Sequence, residues 1–170
     1  MHNQRKEHMK RQIDWKALAA CISFHVFVFF IIHALTPANS FNVWYNQLDK
    51  PLFTPPSNFL FRTIFLMYIF SGIAFYFIWR AKENRFKHRQ KALTYYYIIF
   101  VLISLWFIIF FNFKLLDLAV IVNIITWVLT IILFFLFKRV SKTASYLILP
   151  TLLWDTFNMV LAWGFWQLNH

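Results

Sequence analysis

The sequence predicts an all-α integral membrane protein: a bundle of five transmembrane helices, N-terminus inside and C-terminus outside. Three observations predict it. Five apolar runs each approach the ~20 residues that cross a bilayer. Hydrophobic residues make up 61% of the 170-residue chain and charged residues only 14%, against roughly one quarter charged in a soluble domain. Lys and Arg fall in blocks between the runs, alternating from one side to the other. The 23 Phe and two Gly leave little material for a Gly-rich nucleotide loop. One domain suits this length, with residues 1–16 as a basic tail and 17–170 as the transmembrane part.

The first span runs from Ala17 to Thr36 and ends in the turn chemistry of Pro37, Ala38, Asn39 and Ser40. A basic tail ahead of it and the small residues at 38–40 also resemble a signal peptide. The length of the run, with His25 and His33 inside it, favours a retained span. The second span runs from Phe59 to Trp79, the third from Ala92 to Phe111 and the fourth from Leu115 to Phe137. The fifth runs from Ala144 to Leu168, with Pro150 in its first two turns, where a lost backbone donor matters least.

Orientation follows from the basic residues. Arg5, Lys6, Lys10, Arg11 and Lys16 lie in the tail. Arg80, Lys82, Arg85, Lys87, Arg89 and Lys91 follow the second span, and Lys138, Arg139 and Lys142 follow the fourth. The other side carries only Lys50, Arg62 and Lys114 of the 17 basic residues. The positive-inside rule puts the tail and those two loops in the cytoplasm and His170 outside. The net charge of +11 is then a topology signal and a match for anionic lipid headgroups, not a nucleic-acid footprint. The short basic tail leads us to expect a bacterial plasma membrane rather than an organelle.

Polar residues inside the spans are costly, about 2.5–3.5 kcal/mol for an Asp at a helix centre. Asp155 is such a residue. Thr151, Asp155, Asn158 and Ala162 share one helix face. This reads either as a protonated or internally hydrogen-bonded Asp, satisfied by Thr151 or Asn158, or as the polar wall of a ligand or partner site. The fourth span carries a similar stripe of Ala119, Asn123, Thr126 and Thr130, for which interhelical hydrogen bonding suffices. His25 and His33 lie about two turns apart and could face a common site with Asp155; metal binding needs at least three converging ligands, which the spacing does not supply, so hydrogen-bonded or interface histidines are expected. Arg62 is expected to snorkel to the interface. Cys21 is a small buried hydrophobe.

Most Trp and Tyr fall at expected interfaces, as an aromatic belt does. Trp106, Trp127 and Trp154 lie deeper. The segment from Phe41 to Asn58 is too long for a tight helical turn. Pro51, Pro55 and Pro56 stiffen it, and Trp44, Tyr45, Leu48, Leu52 and Phe53 give it an apolar face. It either packs on the helix ends or covers a pocket.

The pattern Trp44-Tyr45-x-x-Leu48-x-Lys50-Pro51-x-x-x-Pro55-Pro56 resembles the first-loop signature of the tryptophan-rich sensory protein family. That family also takes in the translocator proteins, or peripheral benzodiazepine receptors. Tyr68 and Gly72 match its second helix. Trp106 with Phe110-Phe111 matches its third. Leu149-Pro150, Leu153-Trp154, Phe157, Leu161 and Leu168-Asn169 match its last. The resemblance implies a five-helix bundle, often a homodimer, that binds tetrapyrroles or other hydrophobic molecules in a pocket beneath the first loop. It implies a pocket role for Trp154 and a mouth position for Trp44. The sequence departs from the family at Asn58, Arg62, Ile64, Ile99, Ile103, Asn158-Met159 and Ala162, several of them pocket positions.

Two functions fit. One is a membrane receptor or carrier for a flat, hydrophobic, tetrapyrrole-like small molecule such as porphyrin or haem. Trp44, Tyr45, Tyr68, Trp106, Trp127 and Trp154 would supply ring area, with Asp155 and Asn158 as polar handles. The other is a non-catalytic accessory subunit of a larger membrane complex. Few small residues support a close self-dimer; the resemblance implies a homodimer, while the Phe-rich exterior with its odd Asp could instead pack on another membrane protein. No nucleophile elbow, Walker loop or paired carboxylates appear, so the chain is expected not to be an enzyme and to require no cofactor. Porphyrin breakdown would rest on the resemblance alone.

Overall fold

A computed structural model describes residues 13–81 and 86–169. Arg5, Lys6, Lys10, Arg11, Lys82, Arg85 and His170, used above for orientation, lie outside the described residues. The helices are α1 (Trp15–Ala34), a single turn α2 (Tyr45–Gln47), α3 (Ser57–Trp79), α4 (Phe86–Phe107), α5 (Leu116–Val140) and α6 (Lys142–Leu168). No strand occurs among the described residues. The five long helices are each apolar enough to cross a bilayer, so the chain is a multi-pass integral membrane protein.

Local chemistry sets the helix ends. The Asp14 carboxylate caps α1 by accepting from the Ala17 amide at 3.1 Å, which satisfies one orphan donor of the first turn. Pro37 prevents continuation beyond Thr36. Ser141 alone separates α5 from α6: its backbone is extended, and its hydroxyl accepts from the Ala144 amide at 3.3 Å. Beyond α4 the chain widens into an i→i+5 turn over Ile108–Asn112, closed by Phe113 N–H to the Ile108 carbonyl at 3.0 Å. Lys114 then takes φ 58° to reverse the chain.

Two boundaries differ from the hydropathy reading. Helix α4 starts at Phe86 rather than Ala92, and α5 and α6 nearly abut. Helical hydrogen bonds continue into the headgroup zone, where charged side chains are comfortable; apolar length alone misses those turns. The earlier start of α6 puts Pro150 in its third turn, inside the helix, not in the first two.

Around the bundle, α1 packs on α3, α3 on α6, α6 on α5 and α5 on α4. Aromatic side chains close the ring from α1 to α4: Phe24 stacks on Phe100 at 6.3 Å, and His25 bonds the Tyr96 hydroxyl. Gly72 makes the α1–α3 approach feasible, because a Cβ there would lie 3.0 Å from Ile22 Cα. The core has two ends. One, built on Ile78, Tyr96, Leu133, Phe137 and Ile148, sits beside the basic segments. The other, built on Phe29, Tyr45, Tyr68, Phe110 and Phe165, sits under the segment that joins α1 to α3.

Candidate functional site

That segment is fastened down as a lid. The side-chain amide of Asn169, just past α6, pairs with both backbone groups of Asp49. Asp49 N–H donates to Asn169 Oδ1, and Asn169 Nδ2 donates to the Asp49 carbonyl, each at 2.9 Å. Pro51 is buried against Gly164, where a Cβ would come within 2.6 Å of Pro51 Cγ. Phe53 meets Phe157 edge-on at 6.4 Å. Lys50 hydrogen-bonds Asn46 and sits 4.5 Å over the Tyr45 ring.

Beneath the lid lies a cavity of about 550 Å³, within the range of small-molecule sites. Helix α1 contributes Phe29, Ile32 and His33; α3 contributes Asn58, Phe61, Ile64 and Tyr68. Trp106, Phe107, Phe110 and Phe111 come from α4 and its wide turn. Trp154, Asn158, Leu161, Ala162 and Phe165 come from α6, and Tyr45 and Asn46 from the lid. Phe, Tyr and Trp make up ten of the 23 lining residues. Two polar atoms on them, Tyr45 Oη and Trp106 Nε1, are buried without a protein hydrogen bond. Burial pushes the Tyr45 phenol up, so it remains a hydroxyl donor.

A second chamber of about 60 Å³ continues below, sharing Tyr68, Trp106, Trp154 and Asn158 with the first. Asp155, Ser71, Asn123, Thr126 and Thr151 also line it. The structure therefore brings together Tyr45, Tyr68, Trp106, Trp154 and Asn158 at the main cavity, with Asp155 one step deeper. It does not bring Trp44 or Trp127 to the cavity lining. The Trp44 ring braces the wall from behind, edge-on to Phe110 at 5.3 Å. Trp127 sits on α5, which contributes nothing to the main cavity, and its Nε1–H donates to Thr156 Oγ1 at 2.9 Å. Depth in the membrane put Trp127 with the other two indoles, but its helix direction turns it away.

The polar stripes of the fourth and fifth spans face each other. Thr130 Oγ1 lies 2.9 Å from Asp155 Oδ2, and the Asn123 and Asn158 amides approach at 3.4 Å. Asp155 is thus held by Thr130 across the helix pair, not by Thr151 or Asn158 of its own helix. His25 does not share its site: one ring nitrogen bonds the Cys21 carbonyl at 2.7 Å and the other bonds Tyr96. His33 lines the main cavity, stacked on Phe29. Arg62 is exposed. Sequence reasoning missed Phe165 and the Asn169 clasp. One Phe among 23 carries no signal, and the clasp joins positions 120 residues apart.

The model of the TspO/MBR family matches residues 19–167. The chain belongs to the TspO/MBR family. Two relatives agree. It is 35% identical over 133 residues to a "Tryptophan-rich protein TspO" of Archaeoglobus fulgidus, covering 78% of this chain and 84% of that one. It is 24% identical over 153 residues to a "Tryptophan-rich protein TspO" of Bacillus cereus, covering 85% and 95%. The chain is thus a TspO-family membrane protein. Its departures from the family pattern at Asn58, Ile64, Asn158 and Ala162 all fall on the main cavity, and Ile103 falls on the lower chamber.

Proposed function

We propose that the protein is a membrane receptor or carrier that holds a flat hydrophobic molecule, tetrapyrrole-like in size, in the cavity under the lid. One observation carries this reading. An aromatic cavity of about 550 Å³ keeps Tyr45 Oη and Trp106 Nε1 buried with no protein partner. A buried unsatisfied donor costs about 1–3 kcal/mol, and a ligand acceptor placed there would remove that penalty. Trp154, Trp106 and Tyr68 supply ring faces, for which offset or edge contacts are favourable. The cavity lies at the end away from the basic segments, so the positive-inside rule turns it outward.

The accessory-subunit reading has no comparable support. The exposed Phe24, Phe27 and Phe30 of α1 suit lipid chains as well as a protein partner. The test is a titration with protoporphyrin read by tryptophan fluorescence, with Trp154→Ala alongside. Saturable micromolar quenching, weakened roughly tenfold in the variant, is expected. Quenching that never saturates, or that ignores the variant, would sink the reading.

A further inference from the structure

The lower chamber holds an acidic side chain bonded to one threonine hydroxyl. Asp155 lines it, and a carboxylate at such depth costs about 2.5–3.5 kcal/mol. Its hydrogen-bond partner is Thr130, whose single hydroxyl proton has two acceptors at 2.9 Å, Asp155 Oδ2 and the Thr126 carbonyl. A carboxylate offers about four acceptor sites, so a shared proton leaves most of them unused. Among the described residues, no Lys, Arg or His lines the chamber. Independently, Thr126 Oγ1 and Thr151 Oγ1 are buried there without a partner, on residues only 4% and 5% exposed. Both residues line the chamber, and a hydroxyl can accept a hydrogen bond from an ammonium.

The chamber of about 60 Å³ has room for an ammonium head and not for a ring, since one water takes up about 30 Å³ in the liquid. One carboxylate among neutral oxygens suits a single positive charge. Among the described residues no cluster of three metal-ligating side chains exists, which argues against a divalent ion. Trp106 and Trp154 line both spaces, and indole faces attract cations.

We propose that this chamber is a subsite for a protonated amine. A flat occupant of the main cavity that also carries one basic nitrogen would then be seated with its ammonium against Asp155. This rests on the main cavity being a ligand site.

The test uses two probes of equal ring size, 1-pyrenemethylamine and 1-pyrenemethanol, titrated into the full chain in uncharged detergent. Energy transfer from the protein's tryptophans to pyrene reports binding. In the native protein the amine should bind at least tenfold tighter than the alcohol. Asp155→Asn should bring the two within about twofold by weakening the amine alone. Thr151→Val, which leaves the carboxyl in place, should weaken the amine severalfold and spare the alcohol. Equal affinities in the native protein would overturn the proposal and leave the cavity reading standing, as would an amine preference that survives Asp155→Asn. Saturable binding of neither probe would overturn both.

Discussion

Trp106 shows how one atom separates a packing role from a binding role. Its ring stacks on Phe110 at 5.1 Å, yet its Nε1–H is buried without an acceptor. Trp106→Phe keeps an aromatic face and removes the orphan donor, whose penalty is about 1–3 kcal/mol. The melting temperature of the ligand-free variant should therefore hold or rise, because that relief offsets the smaller ring. Protoporphyrin affinity should fall roughly tenfold, about 1.4 kcal/mol. A thermal melt and a titration read the two halves. A marked loss of stability would show that the indole serves the fold and not the site. At this scale the sequence is partly legible. Deep Trp106 and Trp154 stand out by position, and Asp155 by cost. The partner of Asp155 does not, because periodicity gives each helix a polar face without saying which faces meet. Thr130 becomes visible only once α5 and α6 are known to be neighbours.

At the scale of elements, the spans were legible because a bilayer demands length and apolarity together. Their ends were less so, since α4 and α6 carry their first turns into charged sequence. The lid lay between two readings, and the structure joins them: the segment packs on α6 and covers the cavity in doing so. Gly164 is the point on α6 where the Pro51 ring of the lid rests. Gly→Ala in a helix interior normally stabilises by up to about 1 kcal/mol. Here the added Cβ would meet the stiff Pro51 ring at 2.6 Å, and overpacking of this kind costs about 1–3 kcal/mol. Gly164→Ala should therefore loosen the lid. Hydrogen exchange at Asp49 and Thr54, whose amides are bonded in the lid, should quicken severalfold while α5 amides keep their native rates. Unchanged exchange at the lid would mean that Pro51 yields without cost.

For the whole molecule, the five helices divide their work. Helices α1, α3, α4 and α6 enclose the cavity, α5 backs the polar floor, and the end beside the basic segments is packed solid by Phe137, Leu133 and Ile78. A bundle so arranged is hollow under the lid and filled by side chains beside the basic segments. Membership of the TspO/MBR family was legible from the first loop and the last helix, because those residues build the lid and its seat. The cavity's chemistry was less legible, because the departures at Asn58, Ile64, Asn158 and Ala162 change its walls without changing the fold.

The most direct test of the central claim is a crystal of the protein soaked with protoporphyrin. Density for the ring between Trp106 and Trp154, beneath Tyr45, is the predicted result. Ring density only on the lipid-facing side of the helices, with the cavity unchanged, would contradict it.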